Sequence, residues 1–207
     1  MSNEIYNPSR RDFLKGVAIG AGGYAFGSML IHPKEAMGQS IEGYLKKVPM
    51  KARWDIVSDS YVRLGVSYFK ALYDQGGREK LIEFQKERAR IMAPLQVRGI
   101  ADRFGFTGND AKSAAAIVST LTNIAFGSQT KYEIEEATAE KGRVKCINCP
   151  FWNAAQSMKI TDDLCSAWSQ YMWDGRAKAI NPKLTATLVK ARPRGDSVCE
   201  WVFELKA

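Results

Sequence analysis

The apolar residues change their period near residue 129, and that change constrains the fold more than any other feature. Up to about residue 126 they recur every three to four positions, the spacing of helices with one buried face. From Thr130 onward, stretches of strict alternation appear, the spacing of half-buried strands. Trp54, Val57, Tyr61, Leu64, Tyr68 and Leu72 predict a first helix from near Arg53 with that stripe inward. Gly76-Gly77 supplies its stop, and a second helix is expected from about Arg78 to Phe104. Its inward candidates are Leu81, Phe84, Ile91, Leu95 and Ala101, with Pro94 expected to kink or split it. A third helix runs from Asp110 to Phe126, capped by Asn109 or Asp110, with Ala114, Ile117, Val118, Leu121 and Ala125 apolar.

Beyond Gln129 a hairpin is expected from about Thr130 to Ile147, turning at Glu140-Lys141-Gly142. Pro150 suits the first position of a short helix that follows Cys149 and ends near Met158. Thr161-Asp162-Asp163 caps another helix to about Lys178, with Leu164, Trp168, Tyr171 or Met172, and Gly175 as its stripe. Leu184–Ala191 and Ser197–Lys206 form a second hairpin around Pro193-Arg194-Gly195-Asp196, with Cys199, Trp201, Phe203 and Leu205 on one face. The expected class is α+β: N-terminal helices, then an antiparallel sheet of two hairpins with intervening helices. Residues 39–207 form a single domain, its helical part 39–128 and its cysteine-bearing part 129–207.

The first 38 residues form an address label. Ser9-Arg10-Arg11-Asp12-Phe13-Leu14-Lys15 matches the twin-arginine export signature, and a glycine-diluted apolar stretch follows from Val17 to Ile31. That stretch is shorter than the roughly 20 apolar residues that span a bilayer. Ala36 and Gly38 place small residues before a cut at Gln39. The partner implied is the twin-arginine translocase, and the location is periplasmic or otherwise extracytoplasmic, reached in the folded state. Contact with the membrane is expected only through the signal segment, if it is retained.

Removing this segment lowers the formal charge from +8 to +7 and removes the chain's one histidine, His32. Mechanisms that need a histidine base or ligand are thereby excluded from the mature protein. Its chemistry must rest on thiolates, carboxylates, lysines or tyrosines.

All four cysteines lie in the last third: Cys146, Cys149, Cys165 and Cys199. Four of the five tryptophans (Trp152, Trp168, Trp173 and Trp201) share that region. The expected placements are a strand end, a helix N-terminus, a first helical turn and an inward strand face, which can converge at one end of the sheet. Cys149 and Cys165 near helix N-termini would favour the thiolate. Three readings follow. The four thiolates hold a metal centre, an iron–sulfur cluster in preference to zinc. They form two disulfides, as in many exported proteins. Or one is a nucleophile and the rest are buried thiols. Export of folded cargo, with thiols reduced before transit, favours the metal, in an electron-transfer role or as accessory to a larger envelope redox complex.

Cys149-Pro150, Leu164-Cys165, Asn181-Pro182-Lys183, Gly195-Asp196 and Cys199 resemble the L-2-amino-thiazoline-4-carboxylic acid hydrolase-like family, over about residues 50 to 206. The resemblance implies hydrolytic opening of a cyclic amidine or thiazoline-type small molecule. Cys149, Cys165 and Cys199 would then be the positions to test as thiols, with Asp174 and Asp196 as acid/base groups. Cys146 lies outside the pattern that carries the resemblance.

Lysines and arginines are spread along the chain, densest at Lys86–Arg90 and Lys190–Arg194. Such dispersal fits solvated faces, and nucleic acid is not an expected partner. Glu133, Glu135 and Glu136 are expected on a solvent-facing strand edge.

Overall fold

The computed structural model describes residues 46–206. The export signal and its cleavage site lie outside these residues. Met50–Ala207 is a compact unit. Its elements are α1 (Met50–Phe104), α2 (Ala111–Phe126), β1 (Lys131–Ala137), β2 (Lys141–Asn148), α3 (Pro150–Ser157), α4 (Leu164–Ile180), β3 (Leu184–Lys190), a 3-10 turn (Arg192–Arg194) and β4 (Cys199–Leu205). The fold is α+β, with the four strands antiparallel in the order β1-β2-β4-β3. Each hairpin supplies two neighbouring strands, and pairing of β2 with β4 joins them.

α1 is a helical hairpin. Gly76 and Gly77 leave helical geometry, and Gly77 at φ 68°, ψ −169° occupies backbone space open essentially to glycine. The second arm, 78–104, returns along the first, 50–75: the Tyr68 and Phe84 rings sit 5.5 Å apart, and Arg88 reaches the Tyr61 hydroxyl. The break falls at the glycines alone. Pro94 is carried within the second arm with no departure from helical geometry, contrary to the expected kink.

The inward face of α1 also differs from expectation. Val57, Tyr61, Leu64 and Tyr68 are exposed, while Ser58, Val62, Val66 and Phe69 are buried. In the second arm Leu81 is buried as expected, but Ile91 and Leu95 are exposed, and Gln85, Ala89, Ala93 and Val97 take the inner positions. The reason lies across the interface. Gly175 of α4 packs against Ala89 and Ala93, where an added Cβ would come within 3.2 Å of Ala93 Cβ. Small residues let the two helices approach closely, so α1 turns its small side inward and leaves larger residues outside. A leucine at Gly175 must drive these helices apart. Gly175→Leu is expected to cost about 3 kcal/mol, read by urea denaturation.

α2 and α4 cover one face of the sheet. Asp110 caps α2 through Ser113 N (2.7 Å), and Asp163 caps α4 through Ser166 N (2.9 Å). Beneath them Trp173 stacks on Trp201 with ring centroids 4.0 Å apart. On the other face of β4, Glu200 is fully buried beneath Arg143 and Lys190, its Oε2 3.0 Å from Lys190 Nζ. Burial raises the Glu200 pKa, but these two cations outweigh it and hold the group below its ordinary value. A depressed carboxylate stabilises the fold above its unfolded pKa, and that stability is lost as pH falls through the folded one. The wild-type melting temperature is therefore expected to fall below about pH 4.5, and Glu200→Gln to flatten that fall. Glu133 and Glu135 are exposed on the edge strand β1, with Glu135 paired to Lys145 at 2.5 Å.

Candidate functional site

The four cysteines meet at one end of the sheet. Cys146 near the end of β2 is register partner to Cys199 at the start of β4, so strand pairing places them side by side. Cys149 is the N-cap of α3, just before Pro150, and Cys165 is the second residue of α4. Two strands and two helix N-termini thus contribute one thiol each. All four are free and buried, with 1%, 6%, 6% and 2% of their surfaces exposed in chain order.

Their protonation alternates along a run of contacts. Cys149 interacts with Cys146 on one side and with Cys165 on the other, and Cys165 in turn with Cys199. Hydrogen bonds from Cys146 and Cys165 hold the Cys149 thiol well below its ordinary pKa against the cost of burial, and the Trp152 and Phe151 N–H groups add to this. A hydrogen bond from Cys165, opposed by burial and helped by the Arg192 N–H, lowers Cys199. Cys146 and Cys165 are pushed up, first by donating to these neighbours and then by burial. Cys149 and Cys199 are thus shifted toward thiolate and Cys146 and Cys165 toward thiol, with Cys146 Sγ 3.5 Å from Asn148 O. The backbone donors are explicit: Trp152 N lies 3.5 Å from Cys149 Sγ and Arg192 N lies 3.4 Å from Cys199 Sγ. N–H donation of this kind is what a helix N-terminus offers an anion.

Two further residues belong to the site. Tyr132 on β1 is the register partner of Cys146. Burial first, and then the electrostatic influence of Cys146 and Cys149, raise its phenol well above the ordinary range. Arg192 donates from Nη2 to Ile147 O at 2.7 Å and from Nε to Ser197 O at 3.1 Å, tying the end of β2 to the loop before β4. Its charge favours thiolate at Cys146 and Cys199. The cross-strand position of Tyr132 and the loop role of Arg192 have no signature in local sequence.

The two carboxylates are engaged elsewhere. Asp174 pairs with Lys178 at 2.6 Å and accepts from Ala186 N at 3.1 Å, anchoring α4 to β3. Asp196 accepts from Ala191 N at 2.8 Å and shapes the turn before β4. Their hydrogen bonds go to the backbone and to Lys178, and none joins them to a sulfur. Among the described residues, no group of three or more His, Cys, Asp or Glu side chains is arranged so that it could hold a metal ion as it stands. The thiols are linked in the order Cys146, Cys149, Cys165, Cys199, and strand register sets Cys199 beside Cys146 as well.

No protein-family model matches this chain, and no curated protein does. Among solved structures it is similar to a trafficking protein particle complex subunit 3 from Naegleria fowleri, covalently bound to palmitic acid. The match has a TM-score of 0.52 at 10% identity, over 70% of this chain and 95% of that one. At that identity the likeness concerns the fold.

Proposed function

We propose that the four cysteines form one thiolate centre that takes up a thiophilic metal. The protein would be exported already folded and would serve electron transfer, or assist a larger envelope redox enzyme. The observation that carries this reading is the buried group of four free sulfurs from four different elements, with backbone N–H donors on Cys149 and Cys199 and both of these shifted toward thiolate. Four thiols supply the donor set of a four-sulfur site once their protons leave.

Four clustered thiolates suit an iron–sulfur cluster, the group the sequence favours, or a single tetrahedral ion with bonds of about 2.3 Å. Iron supplies the electron-transfer role, while zinc would make the centre structural. The test is anaerobic purification of the full chain with iron, zinc and sulfide analysis, together with the N-terminal residue of the exported form. At least one metal per chain is expected, with a new terminus at Gln39. Less than about a tenth of a metal per chain, with two intact disulfides, overturns the reading.

A second reading draws on the pairwise character of the same contacts. Cys146 with Cys149, and Cys165 with Cys199, each pair a thiol donor with a thiolate, the combination that oxidises to a disulfide. Mass mapping under non-reducing conditions separates it from the first. The hydrolase reading, with Cys149, Cys165, Asp174 and Asp196 in catalysis, draws on the family resemblance. It gains least from the geometry, because the thiols are buried and both aspartates hold backbone amides.

A further inference from the structure

A cavity of about 170 Å3 opens between the two arms of α1 and the aromatic layer beneath them. Its wall is almost wholly apolar. Gly65 and Phe69 come from the first arm, Phe126 from α2, Phe151 from α3 and Trp168 from α4. The one charged lining group is Arg88, from the second arm. Its guanidinium lies 5.9 Å from the Phe69 ring centroid, and Nη2 donates to the Tyr61 hydroxyl at 3.3 Å. Nη1 is buried and has no hydrogen-bond partner.

No carboxylate neutralises this charge. Arg88 has no ion pair among the described residues. Arg176, the cation it repels, is buried and among the described residues hydrogen-bonds to Gln96 and Thr122. A guanidinium with an unused buried donor at an apolar wall is costly unless an anion shares the space. Guanidinium also matches the planar fork of a carboxylate better than any other anion-binding side chain.

We propose that this cavity binds a small monocarboxylate with an apolar body, one aromatic ring or about six carbons long, its carboxylate on Arg88 Nη1 and its body against Phe151 and Trp168. Volume sets the size, since a cavity of about 150 Å3 accommodates a single benzene ring. A long acyl chain is too large. The lining offers no carboxylate to an ammonium group, so free amino acids are disfavoured. Phe151 follows Cys149 by two residues and Trp168 follows Cys165 by three, so two of the aromatic wall residues sit on the same helix starts that carry two of the thiols. The site stands whether or not the thiols hold metal.

Phenylacetate is the probe, titrated calorimetrically into the full chain beside its neutral amide and benzylamine. Phenylacetate is expected to bind saturably, at least tenfold tighter than phenylacetamide, with no binding of benzylamine. Arg88→Met is expected to weaken phenylacetate at least tenfold. Gly65→Leu fills the cavity from a helical position where an added Cβ is 3.9 Å from Phe151, in ordinary contact, and is expected to abolish binding. Absence of saturation by about 10 mM, equal affinity for acid and amide, or unchanged binding in either folded variant overturns the proposal. The ligand comparison on the unaltered chain decides the matter even if a variant does not fold.

Discussion

Cys165→Ser is expected to empty the centre of metal and to lower the melting temperature by about 10 °C. Cys165 interacts with both Cys149 and Cys199, so its loss breaks two links. A serine hydroxyl stays protonated at neutral pH and is a poor ligand for soft ions. Loss of one thiolate from a four-thiolate site is taken here to cost about 4 kcal/mol, a fraction of what structural zinc contributes to folding. For a domain of this size each kcal/mol moves the melting temperature by about 2–4 °C. Cys146→Ser, at the end of the run, breaks one link and should cost less than half as much. The measurement is metal content beside a thermal scan for both variants. A Cys165→Ser protein with full metal, or with unchanged melting, removes the metal reading. Equal losses in the two variants would contradict the order of the run.

Much of the architecture was legible because local chemistry decides it. The change from helical to alternating spacing marks the passage from α2 to β1. Pro150 after Cys149 starts α3, and Asp110 and Asp163 cap the helices where their side-chain chemistry places them. The inward face of α1 was not legible. Its first arm carries two apolar stripes, one through Val57, Tyr61, Leu64 and Tyr68, the other through Val62, Val66 and Phe69. Periodicity favours the larger residues. In the first arm the choice falls to the stripe that packs into the common core, and in the second arm Gly175 of α4 sets small Ala89 and Ala93 inward by close helix approach. The cysteines were recognisable as a group from their clustering. Their order of contact depends on β2 lying beside β4, which two separate hairpins do not dictate. Tyr132 and Arg192 enter the site through that same strand order and the loop it brings near.

Trp168→Ala is expected to have a large effect, and to report on the thiols as well as on stability. Trp168 stacks on Phe151 at 5.5 Å with the rings 6° from parallel, and on Phe126 at 5.2 Å. Phe69 lies 6.4 Å away, so one side chain joins α1, α2, α3 and α4. Truncating a buried indole in such a setting costs about 4 kcal/mol, the transfer loss and the void together. The void has a particular position. It merges with the cavity beneath α1 and thins the layer that shields Cys149 and Cys165. Alkylation by iodoacetamide at neutral pH should therefore be slow in the native protein and at least tenfold faster at Cys149 in Trp168→Ala, because Cys149 is the member of that pair shifted toward thiolate. Labelling must be followed well below the variant's melting temperature, with Leu164→Ala, an equally buried residue outside the cavity wall, as the control for general loosening. Faster labelling in both variants would show that global opening alone exposes the thiols. Acceleration confined to Trp168→Ala would identify the indole as the barrier between cavity and sulfur.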